Sequence, residues 1–121
     1  MAEFHSLHVY KAAIELERQF CASTQKAKRQ LKYGKVDKIY QEIIDFIVKV
    51  AFACDYEGDR LKLIEESLEM MRRIKIQVRI ILDLGGMTRN GFAAVVKAEE
   101  DVSRQLSGWK NSLTNKNKSK D

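Results

Sequence analysis

The sequence predicts an all-α domain, an antiparallel up-down-up-down four-helix bundle, and three observations predict it. Proline is absent from all 121 residues, where average usage gives roughly six, so the commonest helix breaker is missing from every segment. Apolar residues recur at steps of three and four, which lays them on one side of a helix, and no strand-like alternation is sustained. Three glycine or polar clusters cut this pattern into four amphipathic segments joined by short turns, which bury their apolar stripes most simply against one another.

The first helix is expected from about residue 4 to 28, on Phe4, Leu7, Val9, Ala13, Leu16 and Phe20, with Ala27 and Leu31 continuing the series. Gly34 marks its end, because glycine is the usual residue where a helix must stop with φ > 0. The second helix starts at Val36 and follows Ile39, Ile43, Phe46, Ile47, Val50 and Cys54, with Asp37 placed to favour the positive end of its dipole. After the polar turn Asp55-Tyr56-Glu57-Gly58-Asp59, the near-heptad series Leu61, Ile64, Leu68, Met71, Lys75, Val78 and Leu82 predicts a long third helix, its stripe widened by Ile74, Ile81 and Leu84. Gly85-Gly86 ends it. Thr88 is the expected N-cap of a fourth helix buried through Phe92, Val95, Val96, Val102, Leu106, Trp109 and Leu113. Residues 1–114 then form one bundle, and residues 115–121, which carry no apolar side chain, form a flexible basic tail. A helical hairpin that completes its bundle by dimerising predicts the same pattern.

Composition excludes several classes of function. No apolar run approaches the ~20 residues of a membrane span. Cys21 and Cys54 are the only cysteines, and the N-terminus lacks the basic and apolar regions of a secretory leader, so a cytoplasmic location without a disulfide is expected. His5 and His8 share a helix face, but no HExxH or CxxC accompanies them, so no metal site is expected. GxxxxGK[ST] and GxGxxG are both absent, so no nucleotide cofactor is expected either. Glu65, Glu66 and Glu69, and again Glu99, Glu100 and Asp101, read as solvated helix faces, since di-metal bundles use Glu-x-x-His and there is no histidine beyond residue 8. Nothing sets Cys21 beside a base, so the expectation is a protein without catalytic residues.

The basic residues carry the functional signal. Lys and Arg number 22 against 17 Asp and Glu, a formal net charge of +5. Lys26, Lys28, Arg29, Lys32, Lys35 and Lys38 crowd the first connection, opposed there only by Asp37. In an up-down bundle Arg79 and Arg89 lie at the same pole, while Asp55, Glu57 and Asp59 make the other pole acidic. Along helix 3, Arg72, Lys75 and Arg79 follow i, i+3, i+7, with Arg73 beside them. Lys110, Lys116, Lys118 and Lys120 add charge near the C-terminus. A nearly single-sign cluster drawn from separate segments attracts phosphate backbones through counterion release, and without a base-reading motif it recognises shape and charge.

The segments LHVYKAAIELERQF, LEMMRRIKIQVRIILDLGGMT and VSRQLSGWKNSL resemble the accessory variability determinant proteins of diversity-generating retroelements. These are small four-helix bundles related to the intervening-sequence proteins encoded within large-subunit ribosomal RNA genes. The most specific likeness is the last helix, ending in Leu106-Ser107-Gly108-Trp109 before a short basic tail. The resemblance implies a non-catalytic subunit that assembles into a homo-pentameric ring, binds the element's reverse transcriptase, and holds template RNA or DNA. By direct correspondence Lys75 and Arg79 would carry the nucleic acid, and the charge map extends the set to Arg72, Arg73, Lys26, Lys28, Arg29, Lys32 and Lys35. Helix 2 of the ribosomal relatives commonly carries an Asn-Ile-Ala-Glu type segment, and FIVKVAFACD has nothing like it, which favours the retroelement group. Two alternatives stand beside it: a stand-alone RNA-binding bundle of the intervening-sequence type, and a protein-interaction bundle with an incidental basic face. Leu63, Met70 and Ile76 on helix 3 and Ile44 on helix 2 widen the apolar surface beyond one stripe, as an oligomer would require.

Overall fold

The computed structural model describes the backbone of residues 2–119 and the side chains of residues 5–116. Phe4, Lys118 and Lys120, used above, lie outside the described side chains. The chain forms four long helices, α1 (Ala2–Thr24), α2 (Asp37–Asp55), α3 (Arg60–Asp83) and α4 (Arg89–Ser119), and the described residues include no strand. They pack as a helical bundle in which α1 lies against α2 and α4, and α3 lies against the same two. Each helix contributes large side chains to one shared core: Leu16 and Phe20, Ile43 and Phe46, Met71 and Ile74, Leu106 and Trp109 are all buried. Burial of each such side chain contributes about 1.5–3 kcal/mol, which makes this core the main source of stability. No helix among the described residues is long and apolar enough to cross a membrane.

The register of α3 differs from the expected one by one position at every second contact. Its buried residues are Arg60, Ile64, Ser67, Met71, Ile74, Val78 and Ile81, a strict alternation of four and three. Leu61, Leu68, Lys75 and Leu82, expected on this seam, sit half-buried beside it. The sequence offers both stripes, and hydrophobicity alone selects Leu over Arg and Ser. Burial of Arg60 and Ser67 is possible because both are satisfied. Arg60 donates from Nε to the Ala53 carbonyl at 2.8 Å and from Nη2 to the Cys54 carbonyl at 2.9 Å. Ser67 Oγ donates to the Leu63 carbonyl at 2.8 Å.

The first connection also departs from expectation. α1 stops at Thr24, whose hydroxyl donates back to the Phe20 carbonyl, and Lys28 takes an extended conformation with ψ 147°. From Arg29 the chain is helical again, through a short turn Arg29–Leu31 and a wide π-helical turn Lys32–Val36 that runs straight into α2. Gly34 therefore lies inside helical backbone without positive φ, and Asp37 is well inside a continuous helical stretch instead of at a helix start. Residues 25–28 contain no Gly or Pro, so the sequence carries no breaker at the place where the chain bends.

The third connection follows the sequence closely. Gly85 has φ +82°, the Gly86 amide donates to the Ile81 carbonyl at 2.8 Å and the Gly85 amide to the Leu82 carbonyl at 3.0 Å. This is a Schellman cap, in which glycine avoids the Cβ clash of left-handed backbone. Thr88 caps α4 as expected, its Oγ1 accepting from the Gly91 amide at 3.0 Å. α4 then stays helical through Ser119, past the residue 114 at which the sequence ends the bundle. No Gly or Pro interrupts residues 114–119, and the Thr114 hydroxyl donates to the Lys110 carbonyl. Leu7, expected in the core, is 54% exposed.

Candidate nucleic-acid interface

Two connections meet at one end of the bundle. The Ser23 hydroxyl, at the end of α1, donates to the Gly91 carbonyl at the start of α4 at 3.2 Å. A Cβ built on Gly86 would stand 2.9 Å from a Leu31 methyl, so Leu31 of the first connection packs directly on the Gly85-Gly86 turn. One shallow recess places Lys28 and Lys35 beside Leu84 and Gly85, and another places Lys26 beside Gly86, Met87 and Asn90. Arg89 is exposed at the start of α4. The structure thus brings Lys26, Lys28 and Lys35 beside the α3–α4 turn, while Lys32 of the same connection lines a cleft against α1 and Arg29 lies over Tyr33.

These cations are available. Lys26, Lys28, Arg29 and Lys35 are exposed and Lys32 is half-buried; among the described residues none of the five forms an ion pair. Lys32 Nζ donates to the Gln25 carbonyl at 3.4 Å, which satisfies a carbonyl freed by the end of α1, and Arg29 lies over the Tyr33 ring at 6.0 Å. A surface of unpaired ammonium groups on short, held connections is suited to phosphate contact.

The α3 stripe is a different surface. Arg72 pairs with Glu69 at 2.9 Å, and Arg79 pairs with Asp83 at 3.4 Å while lying over the Phe92 ring. Arg73 lines a small recess with Glu42 and Asp45. Lys75 is half-buried, and its charge acts on Glu99 across the α3–α4 contact. Arg72 lies eleven residues from the end of α3, about 16 Å along the axis, so the stripe leads away from the basic end. The C-terminal lysines lead away too: Lys116 lies roughly 40 Å along α4 from Arg89 and does not extend the cluster.

Glu99 is a residue the sequence missed. It reads there as part of a solvated acidic face, yet it is 2% exposed, and one carboxylate oxygen has no hydrogen-bond partner. Burial pushes its pKa up to about 7, against the lowering effect of Lys75. The signal was its register: Val95, Glu99, Val102, Leu106 and Trp109 follow steps of four and three, so Glu99 falls on the seam. Burial and the Glu17 carboxylate also push the Cys21 thiol up, and burial pushes Cys54 up, which makes both poor nucleophiles near neutral pH. Among the described residues no group of three or more His, Cys, Asp and Glu is placed to hold a metal. No protein-family model matches this chain, and no curated protein matches it. The class defined by fold and surface is therefore an all-helical bundle with a basic end.

Proposed function

We propose that this protein is a non-catalytic accessory subunit of a diversity-generating retroelement, holding template RNA or DNA on its basic end for the element's reverse transcriptase. The observation that carries the nucleic-acid part is the convergence of Lys26, Lys28 and Lys35 beside the Gly85-Gly86 turn, with Arg29 and Lys32 on the same connection, none of the five in an ion pair among the described residues. The polymerase partner and the homo-pentameric ring rest on the likeness of the three sequence segments to the accessory variability determinant family, and the cytoplasmic setting on that likeness and the low cysteine count. Within the nucleic-acid surface, the end cluster takes the leading role. Arg72, Arg73, Lys75 and Arg79 form a secondary flank, because each has an acidic neighbour on its own or a facing helix.

An up-down-up-down path belongs to this proposal, because it puts the first and third connections at the same end. Its support is a set of contacts that pair early residues of one helix with late residues of the next. Ser6 faces Cys54 between α1 and α2, Lys49 faces Glu66 between α2 and α3, and His5 stacks on Trp109 between α1 and α4. Oligomerisation has support in apolar surface. Ile76 is 65% exposed, and Val48, Phe52 and Ile80 are exposed as well, whereas Ile44, Leu63 and Met70 pack against the core.

The experiment is a titration of a fluorescent single-stranded RNA with purified protein across salt concentrations. Three to five phosphate contacts give a log–log slope of about −2 to −3.5 at roughly −0.7 per contact. A salt-independent affinity, or no binding in low salt, overturns the proposal and leaves a protein-interaction bundle.

A further inference from the structure

Between the end of α1 and the start of α2 lies a cleft of about 290 Å³, near the lower limit of the roughly 300–1,000 Å³ typical of ligand pockets. Tyr33, Val36, Asp37 and Tyr40 line one side at the i, i+3, i+4, i+7 spacing of a helix face, and Phe20, Cys21 and Thr24 line the other. Phe20 and Val36 are buried and give the cleft its apolar depth. Tyr33 is 72% exposed, the most exposed of the large hydrophobic side chains in the described residues. It is held on the π-helical turn Lys32–Val36, a geometry that recurs at functional sites. Lys32 lines the same cleft, and Arg29, whose guanidinium lies over the Tyr33 ring, and Lys35 belong to the same helical stretch.

We propose that this cleft receives one unpaired base of a single-stranded nucleic acid, stacked on Tyr33, while the flanking phosphates rest on Arg29, Lys32 and Lys35. The proposal deepens the proposed function and rests on it. Charge complementarity selects this occupant over an apolar protein side chain, because the cleft opens among cations that no carboxylate pairs. Its polar groups suit a base edge: the Asp37 carboxylate accepts from a ring N–H such as uracil N3–H or from an exocyclic amine, and the Gln25 amide both donates and accepts. A duplex keeps its bases stacked and offers none to the cleft, so the site discriminates single strands from double strands without reading a sequence.

The test compares a twelve-residue oligouridylate with a twelve-base-pair RNA duplex, using the full chain and its Tyr33→Ala and Tyr33→Phe variants. Tyr33 is exposed, so neither substitution disturbs the core. Tyr33→Ala is expected to weaken oligouridylate binding about tenfold with an unchanged salt slope, to leave duplex binding within about twofold, and Tyr33→Phe to restore single-strand binding. Bound oligouridylate is also expected to slow alkylation of Cys21 inside the cleft, and not that of Cys54, which lies beside Ser6. If Tyr33→Ala binds oligouridylate normally while the salt slope persists, the base site is overturned and the basic end stands. If the unaltered protein binds neither RNA, the proposed function falls and the base site with it. If Tyr33→Ala loses self-association and keeps RNA binding, the cleft belongs to a protein side chain.

Discussion

The Arg60 guanidinium lies 5.5 Å from the centroid of the Trp109 ring while donating to the carbonyls of Ala53 and Cys54. One side chain at the start of α3 thus satisfies the end of α2 and covers the largest buried residue of α4. A buried cation is costly when isolated, and here two charge-assisted hydrogen bonds and an aromatic face replace its water.

Removing either partner should unfold more than the contact itself. Trp109→Ala is expected to cost about 3–5 kcal/mol, as for a buried aromatic. Arg60→Ala is expected to cost about 2–4 kcal/mol, because two partly enclosed carbonyls lose their donor. The double variant should lose about 1 kcal/mol less than the sum, since the ring no longer has a cation to hold. Urea unfolding of the four proteins checks this, and strict additivity would show that the two residues act separately.

Helix existence was legible in the sequence, and helix ends only where local turn chemistry fixed them, as at Asp55-Tyr56-Glu57-Gly58-Asp59, which separates α2 from α3. Gly85-Gly86 and Thr88 announce the third connection because their local chemistry determines the backbone there. The bend at residues 25–28 has no such marker, and Gly34, which looked like one, is absorbed into a π-helical turn. Likewise the α3 seam was missed at Arg60 and Ser67, because periodicity counts apolar residues while burial also admits polar ones whose hydrogen bonds are met. The basic cluster was visible as a charge run. That Arg72 and Arg79 pair with Glu69 and Asp83 was also available at i−3 and i+4, yet deciding which cations stay unpaired needed the packed helices.

Gly86 is expected to tolerate no side chain. An added Cβ would stand 2.5 Å from Ile81 Cγ2 and 2.9 Å from Leu31 Cδ2, so Gly86→Ala must displace the residue that joins the two basic connections. A loss of about 1–3 kcal/mol follows from overpacking of this kind. Gly58→Ala, with nothing within 4 Å of the new Cβ, serves as the control. Thermal melting that ranks the two variants equal would contradict the close approach of Leu31.

Glu99 makes stability depend on pH. Its pKa rises from an ordinary 4.5 to about 7 on folding, so the folded state holds the proton more tightly than the unfolded chain. The protein is therefore expected to be most stable below about pH 4.5 with respect to this group, to lose about 3 kcal/mol between pH 4.5 and 7, and to level off above. Glu99→Gln keeps the shape without the charge, so it should raise Tm at pH 8, match the unaltered protein near pH 5, and flatten the curve between. Lys75→Met should extend the loss to higher pH at the same slope and enlarge its total, because the charge that lowers the Glu99 pKa is gone. A Glu99→Gln protein that melts lower than the unaltered one at pH 8 would mean that the carboxylate is ionised and satisfied.

The two basic surfaces should contribute unequally to nucleic-acid binding. On α3, Arg72 and Arg79 each have a carboxylate within 3.4 Å and Arg73 lies near Glu42 and Asp45, so a phosphate arriving there displaces an existing partner and meets nearby negative charge. Exposed pairs are worth only about 0–1 kcal/mol, which permits the exchange but halves its benefit. Lys28, Lys32 and Lys35 have no carboxylate to release. Converting these three to Gln should flatten the salt slope by about 2, near the full value of three single-strand contacts, whereas Arg72→Gln, Arg73→Gln and Arg79→Gln together should flatten it by less than 1. Lys75 is left unchanged in both sets, because altering it perturbs Glu99 and with it the fold. Deleting residues 115–121 should change the slope least, since Lys116 stands far along α4 from the basic end. Equal slopes for the two triple variants would move the interface onto the side of the bundle, and a larger effect of the α3 set would make the stripe, not the connections, the phosphate track.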